Sequence, residues 1–346
     1  MNFKELDRLI HSGVKEIVLE SDVILDDGDE ETYLDGIALE DEIVIDGNNH
    51  AIDARGKVRI FDVKANLTVI KNTIFKNGNS ELFGGAIQNQ DKLGIENSRF
   101  ENCYCPRGGA VANIEGKLRI SNSQFINNSA YDGGAIYNTS GGYVFTGSIV
   151  AIEGCLFKDN HAKMDSGAIY SIGFMGIKDS KFESNSADLH GGAISSYQKS
   201  NMLTWQCEFR ANSAPIGGCI FNFETLTVDK CLFADNSAEV AGGAIVNEKK
   251  SDLEIKDSSF RNNTSDIGGA VATVGPVEIS DSSFENNSSK SVGGAIEIRE
   301  TGKLKARNTS FRNNRSGEGG AIFTNSPDSI DDEGCEFEGN VPDDIN

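Results

Sequence analysis

Proline is scarce, with 5 residues in 346, and tryptophan occurs once. Pro-rich linkers are thereby excluded, and 38 glycines argue against long helices, so many short strands joined by tight turns fit best. Basic clusters are also missing. Lysine and arginine are spread singly through a chain of net charge −21. With no basic surface to displace phosphate counterions, a nucleic-acid partner is not expected, and no polybasic run marks a membrane anchor. No apolar run approaches the roughly 20 residues of a membrane span. The opening Met1-Asn-Phe-Lys-Glu-Leu6 lacks the apolar core of a signal peptide. The chain is therefore expected either to stay in the cell or to be part of a longer exported protein.

What the sequence does have is a repeat. Ten tetrads of Gly-Gly-Ala-Ile type, six of them exact, have their second glycines at Gly85, Gly109, Gly134, Gly167, Gly192, Gly218, Gly243, Gly269, Gly294 and Gly320. Their spacing is 24 to 26 residues, with one interval of 33. Nine or ten residues before each stands a phenylalanine, from Phe75 to Phe311, and Phe337 closes the series. Such a period predicts a solenoid, because a coil too short to bury its own face must share a core with its neighbours.

Each column of the repeat has a reading. Leu118-Arg-Ile120 and Leu253-Glu-Ile255 alternate with a period of two, so each is a short strand with one buried face. Asn97, Asn122, Gly154, Asp179 and Asp257 follow as turn residues. Two positions before each phenylalanine sits Ser, Thr or Cys (Ser98, Cys155, Cys207, Cys231, Thr309, Cys335). Asn128, Asn160, Asn185, Asn212, Asn236, Asn263, Asn287 and Asn314 are expected to stack at a further turn, their amides satisfying one another. The double glycine marks a corner where neighbouring backbones approach closely. The fixed Ile or Val of the tetrad should point inward and the residue after it outward.

The fold expected is an all-β, right-handed parallel β-helix of roughly 12 to 13 coils. It forms one continuous domain, with opening coils in 1–74 and the repeated coils in 75–346. Phe3, Leu6, Leu9 and Ile10 lie on one face of a short helix ended by Gly13, which would cap the first coil.

The pairing of Phe125-Ile-Asn-Asn128 with Gly133-Gly-Ala-Ile136 resembles the repeats of chlamydial polymorphic outer membrane proteins. The segments Ile43-Val-Ile-Asp-Gly-Asn-Asn-His-Ala-Ile-Asp53 and Arg59-Ile-Phe-Asp-Val63 are similar to the opening coils of adhesin-like proteins of methanogenic archaea. That resemblance implies a pectin-lyase-like β-helix on a cell surface, used for attachment. The same scaffold hosts enzymes.

Candidate chemistry is thin. Asp26-Asp27, Asp331-Asp332 and Asp343-Asp344 read as solvated turn or tail acids. His11, His50, His161 and His190 are too scattered for a metal site and read as exposed turn residues, so neither metal nor cofactor is expected. Seven cysteines without framework spacing favour free thiols, with Cys103 and Cys105 the accessible pair. The sequons at Asn66, Asn138, Asn262 and Asn308 are what turn chemistry produces anyway. The outward column after the tetrad Ile is more informative. It carries Tyr137, Tyr170 and Phe221, with Tyr197 two positions farther along in its coil, and Asn138 stands beside Tyr137. The long coil adds a loop near Tyr143. These six residues form the candidate ligand site. The leading expectation is a monomeric, non-catalytic, adhesin-like module that binds a glycan or surface protein of a host or neighbouring cell. A polysaccharide lyase or hydrolase and a structural spacer are the alternatives.

Overall fold

Three short strands per coil dictate the architecture, because each can satisfy its backbone only by pairing with the same strand one coil away. A computed structural model describes residues 1–140, 148–197, 200–248 and 251–346. The chain is an all-β, right-handed parallel β-helix of about 12 turns. Its contacts divide it into two units, Met1–Lys163 with Gly167–Met175, and Met164–Ser166 with Gly176–Asn346.

In the first unit a leucine sheet runs through Glu16–Val18, Ile43–Asp46, Thr68–Lys71, Lys92–Glu96, Lys117–Ser121 and Ile149–Glu153. A phenylalanine sheet contains Ile74–Lys76, Arg99–Glu101, Gln124–Ile126 and Leu156–Lys158, and a tetrad sheet contains Ile87–Asn89, Val111–Ile114, Ile136–Thr139 and Ile169–Ser171. The opening coils use the same register without the signature residues. Ile52 pairs with Phe75, and Phe61 pairs with the tetrad Ile87. The cap helix spans Phe3–Ile10, with an Asn2–Glu5 capping box that satisfies its first donors. Phe3, Leu6 and Ile10 are buried as expected. Leu9 is not: it is 38% exposed.

The second unit repeats the pattern. Its leucine sheet includes Thr225–Asp229, Asp252–Lys256, Pro276–Ser280 and Lys303–Arg307, all parallel and in register. A further sheet, not foreseen from the sequence, lies between the asparagine turn and the glycines, through Ser213–Ile216, Ser237–Ala241, Thr264–Ile267 and Ser288–Val292.

The core is built of ladders. Phe100 stacks on Phe125 at 4.7 Å between ring centroids, and Phe233 on Phe260 at 4.7 Å, with interplanar angles of 1° in both pairs. These rings are fully buried, and each such burial stabilises by about 1.5–3 kcal/mol. The asparagine column is a second ladder. Asn236 Nδ2 donates to Asn263 Oδ1 at 3.0 Å and to the Phe209 carbonyl at 3.0 Å, while its backbone N–H donates to the same Asn263 Oδ1 at 3.1 Å. Both amide hydrogens and both acceptor sites are thus used, the condition under which a buried polar network stabilises. The small column works similarly: Ser258 N–H donates to Ser282 Oγ at 3.1 Å.

The glycine pair turns the next corner. Gly242 has φ +61°, and a Cβ on Gly243 would sit 2.1 Å from the Gly269 carbonyl oxygen, so no side chain fits. Ser166 takes the first glycine position of its tetrad and keeps φ +68°.

The cysteines correct one expectation. Cys103 and Cys105 are fully buried, not accessible. Cys103 stands three residues after Phe100, in the asparagine column, and its N–H donates to Asn128 Oδ1. Burial pushes its thiol up to about 12 and raises Cys105 as well. Cys207 and Cys231 share one column a coil apart, and donating its thiol hydrogen to Cys231, together with burial, holds Cys207 far above its usual value. All seven cysteines are free, and Cys335 alone is partly exposed.

Two outcomes follow. Asn236→Ala should lower unfolding free energy by about 3 kcal/mol, since it strands buried partners on both neighbouring coils, whereas Lys290→Ala should change it by less than about 0.5 kcal/mol; urea titration of both variants checks this. At about pH 8 a thiol reagent should modify no more than Cys335 in the folded chain, and all seven cysteines only after denaturation. Rapid labelling of Cys103 in the native state would contradict the burial.

Candidate functional site

The tetrad strand alternates, so its outer face is the one the repeat leaves free. In the first unit the column after the fixed residue reads Asp62, Gln88, Ala112, Tyr137, Tyr170. In the second it reads Ser195, Phe221, Val246, Ala272, Glu297, Phe323. The residue just before each glycine pair borders this face. Phe83 and Arg107 do so in the first unit, and Asp165, His190 and Ile216 in the second.

In the first unit Tyr137 and Tyr170 are brought together, their rings stacked at 4.9 Å and 15°. Phe83 approaches the Tyr137 ring at 6.1 Å, and the Arg107 guanidinium lies 5.4 Å over Phe83. Burial raises the Tyr137 phenol above its usual pKa. The two tyrosines therefore cover part of each other's ring surface.

Asn138 goes elsewhere. The same alternation that turns Tyr137 outward turns Asn138 inward beside Ile136, where it is fully buried. Its Nδ2 donates to Ser171 Oγ at 3.0 Å, and its Oδ1 accepts from Asn113 Nδ2 at 2.8 Å. It is part of an inner amide ladder, so as a ligand residue or a glycosylation acceptor it is out of reach. Tyr143 lies outside the described residues.

The second unit carries the larger cluster. Phe221 is 5% exposed, because it is packed with Ala241, Val246 and Ala272 and partly covered by Tyr197, Ile216, Phe223 and Ile267. Tyr197 and Phe223 stack at 6.1 Å and 26°. His190 lies on Phe221 at 4.6 Å. Its Nδ1 is 2.8 Å from Asp165 Oδ1, while the Tyr197 hydroxyl donates to Asp165 Oδ2 at 2.5 Å. His190 is thus an anchored, half-buried side chain and not an exposed turn histidine. Asp165 was not singled out from the sequence, and His190 was read there as an exposed turn residue; their position one residue before the tetrad was the available signal.

Carboxylates elsewhere are placed differently. Glu254 and Glu278 pair in register on the outer leucine sheet, but their side chains are 41% and 65% exposed and reach Lys256 and Lys305. Asp27 and Asp331 pair with Arg55 and Arg307, as solvated turn acids would. Glu297 differs. It is buried on the tetrad face, Oε1 meets Arg299 Nε at 2.7 Å, and Oε2 has no partner. Among the described residues no group of three or more His, Cys, Asp or Glu side chains could hold a metal ion.

Residues 143–314 match the family model of the right handed beta helix region. Residues 122–139 and 308–325 each match the Chlamydia polymorphic membrane protein repeat. The chain is a β-helix with repeats of that kind. The two matched stretches each run from the asparagine turn before a core phenylalanine, Phe125 or Phe311, to the outer face of the tetrad strand, so the model captures core columns together with Tyr137 and Phe323. No curated protein and no solved structure matches the chain.

Burial raises the Glu297 carboxyl above its ordinary 4.5, with Arg299 opposing. A carboxyl whose folded pKa is raised binds its proton more tightly in the native state. Its stabilising contribution is then full below the ordinary carboxylate range and is lost as pH rises through the folded value. As pH rises above the ordinary carboxylate range, wild type should lose melting temperature relative to Glu297→Gln. Parallel melting curves through that rise would show that Glu297 is not desolvated.

Proposed function

We propose that this chain is a non-catalytic module of a surface protein that binds a glycan or a protein of a host or neighbouring cell through the outer face of its tetrad sheet. One observation carries the reading: in the second unit an aromatic and aliphatic cluster of Tyr197, Ile216, Phe221, Phe223 and Ile267 sits outside the β-helix core. The core is already closed by the phenylalanine and isoleucine ladders, so the fold does not need this cluster. Partly exposed aromatic clusters on a rigid scaffold are what binding surfaces use. The repeats of polymorphic membrane protein type add support for a surface setting. An adhesin-like role fits both. The polysaccharide lyase or hydrolase reading has less support, because Glu254 and Glu278, the carboxylates that meet in register on the leucine sheet, stand in open solvent beside lysines.

The double variant Tyr197→Ala/Phe223→Ala should lose at least about tenfold in affinity for glycan arrays or purified cell-surface proteins, the scale of one or two aromatic hot spots. Its melting curve should match wild type, and Leu203→Ser on the exposed leucine sheet should bind as wild type does. Unchanged binding by the double variant would remove the tetrad face from function. Release of shortened oligosaccharides would instead establish an enzyme, and absence of any ligand would leave a spacer.

A further inference from the structure

Three successive coils bring an unusual set of side chains together on the tetrad face. The position before the glycines is apolar at Phe83, Ile216, Ala241, Ile267 and Val292 and polar at Arg107, Asp132, Asp165, His190 and Glu318, and in the second unit Asp165 and His190 stand in two successive coils. Three residues after the fixed Ile or Val, the coils of His190 and Ile216 carry Tyr197 and Phe223, where later coils carry Glu248, Val274 and Arg299. Ser166, beside Asp165, stands where the nine other tetrads have glycine. It holds a left-handed φ of +68°, and its buried hydroxyl has no hydrogen-bond partner. Backbone held in that region by a residue other than glycine is a local cost that tends to collect at functional sites. Ser166, Tyr197 and Phe223 thus stand on the same three successive coils as Asp165 and His190.

Their arrangement is specific. One carboxylate, Asp165, accepts from the Tyr197 hydroxyl through one oxygen and meets His190 Nδ1 through the other. Both partners are thereby fixed in orientation, and stacking on Phe221 sets the plane of the imidazole. With Nδ1 committed to Asp165, the nitrogen that His190 can offer a ligand is Nε2, on a side chain 30% exposed. Next to this polar edge, Tyr197 and Phe223 provide adjoining half-buried rings. An apolar platform with one oriented hydrogen-bonding group at its rim matches a ligand that is itself amphipathic, with a C–H face and hydroxyls around its edge.

We propose that Asp165, His190, Tyr197 and Phe223 form a subsite for a pyranose unit of an uncharged glycan. The aromatic rings take the sugar's C–H face, and His190 Nε2 takes a hydroxyl. Asp165 is a positioning residue, which holds the imidazole and the phenol and touches no ligand. The sugar is uncharged because the chain carries a net charge of −21 and the fixed acid of the site is Asp165, so a uronate or sulfate would approach against a negative field. This assignment rests on the reading above that the tetrad face binds a ligand, and it names the class of ligand.

The test uses the full chain with two families of probe: neutral hexose oligosaccharides (cellohexaose and mannohexaose) and a uronic-acid oligosaccharide (hexagalacturonate). Calorimetry should show saturable binding of a neutral probe and at least about tenfold weaker binding of the uronate. His190→Ala and Phe223→Ala should each weaken neutral-probe binding at least about tenfold. Asp165→Asn should weaken it as well, while the His190 ring nitrogen signals in NMR move in the free protein, which a merely structural role in the fold would not require. Melting curves of all variants guard against misfolding. Equal or tighter binding of the uronate, or neutral-probe binding indifferent to His190→Ala and Phe223→Ala, would overturn the proposal. If no oligosaccharide binds but a purified surface protein binds in a Tyr197- and Phe223-dependent way, the sugar assignment fails and the functional reading survives. If nothing binds at this face, both fail.

Discussion

A coil of about 25 residues has no inside of its own, so each one depends on registering residue for residue with the next, at the spacing of parallel strands, about 4.8 Å. That constraint explains why columns, and not individual contacts, are the unit of this structure. An aromatic ring repeated at that spacing must stack nearly parallel, as Phe100 and Phe125 do at an angle of 1°. An amide repeated at that spacing can donate to the copy above while accepting from the copy below, as Asn212, Asn236 and Asn263 do. A slip of one residue would put a phenylalanine in water and strand an amide in the core. The ladders therefore hold register as well as supply energy.

Register also decides what can vary. Inward positions have neighbours of their own kind on two sides, so a substitution there disturbs two coils. The sequence tolerates replacements that preserve the pattern: Cys231 stands in the serine column, and its N–H still donates to Ser258 Oγ at 3.0 Å. Cys103 stands in the asparagine column and still donates its N–H to Asn128 Oδ1. What changes is reactivity, since a thiol placed in a core column is desolvated, as Cys103 and Cys219 both show by their raised values.

Much of this was legible because repetition averages out local ambiguity. The phenylalanine column, the asparagine ladder and the glycine corner each recur many times, and a periodic signal survives exceptions. The site was less legible for the same reason. Tyr137, Tyr170, Tyr197 and Phe221 stand out as large residues in a free column, yet the sequence did not show that Phe221 would be sunk under His190 and Tyr197. Asn138 was misplaced although the alternation that defines the strand sends it inward; proximity in sequence to Tyr137 was mistaken for proximity on the surface. His190 and Cys105 depend on where the chain folds between the asparagine turn and the glycines. There the irregular sheet, with register shifts such as that between Ala214 and Ile216, breaks the simple count from one repeat to the next.

Function on such a scaffold has to be written in departures from the repeat. A ladder residue is explained by its copies, so its presence says nothing about a ligand. A residue with no copy above or below has to be explained by its local partners, or by something outside the chain. Asp165 and His190 explain each other and Tyr197, but not why this joined pair of polar side chains stands beside two aromatic rings. The hydrophobic ladders would close without them, and the next four coils carry Ile216, Ala241, Ile267 and Val292 in that column. That mismatch between what packing requires and what the sequence supplies is the physical ground for proposing this point on the tetrad face, where otherwise the whole outer surface would be equally eligible.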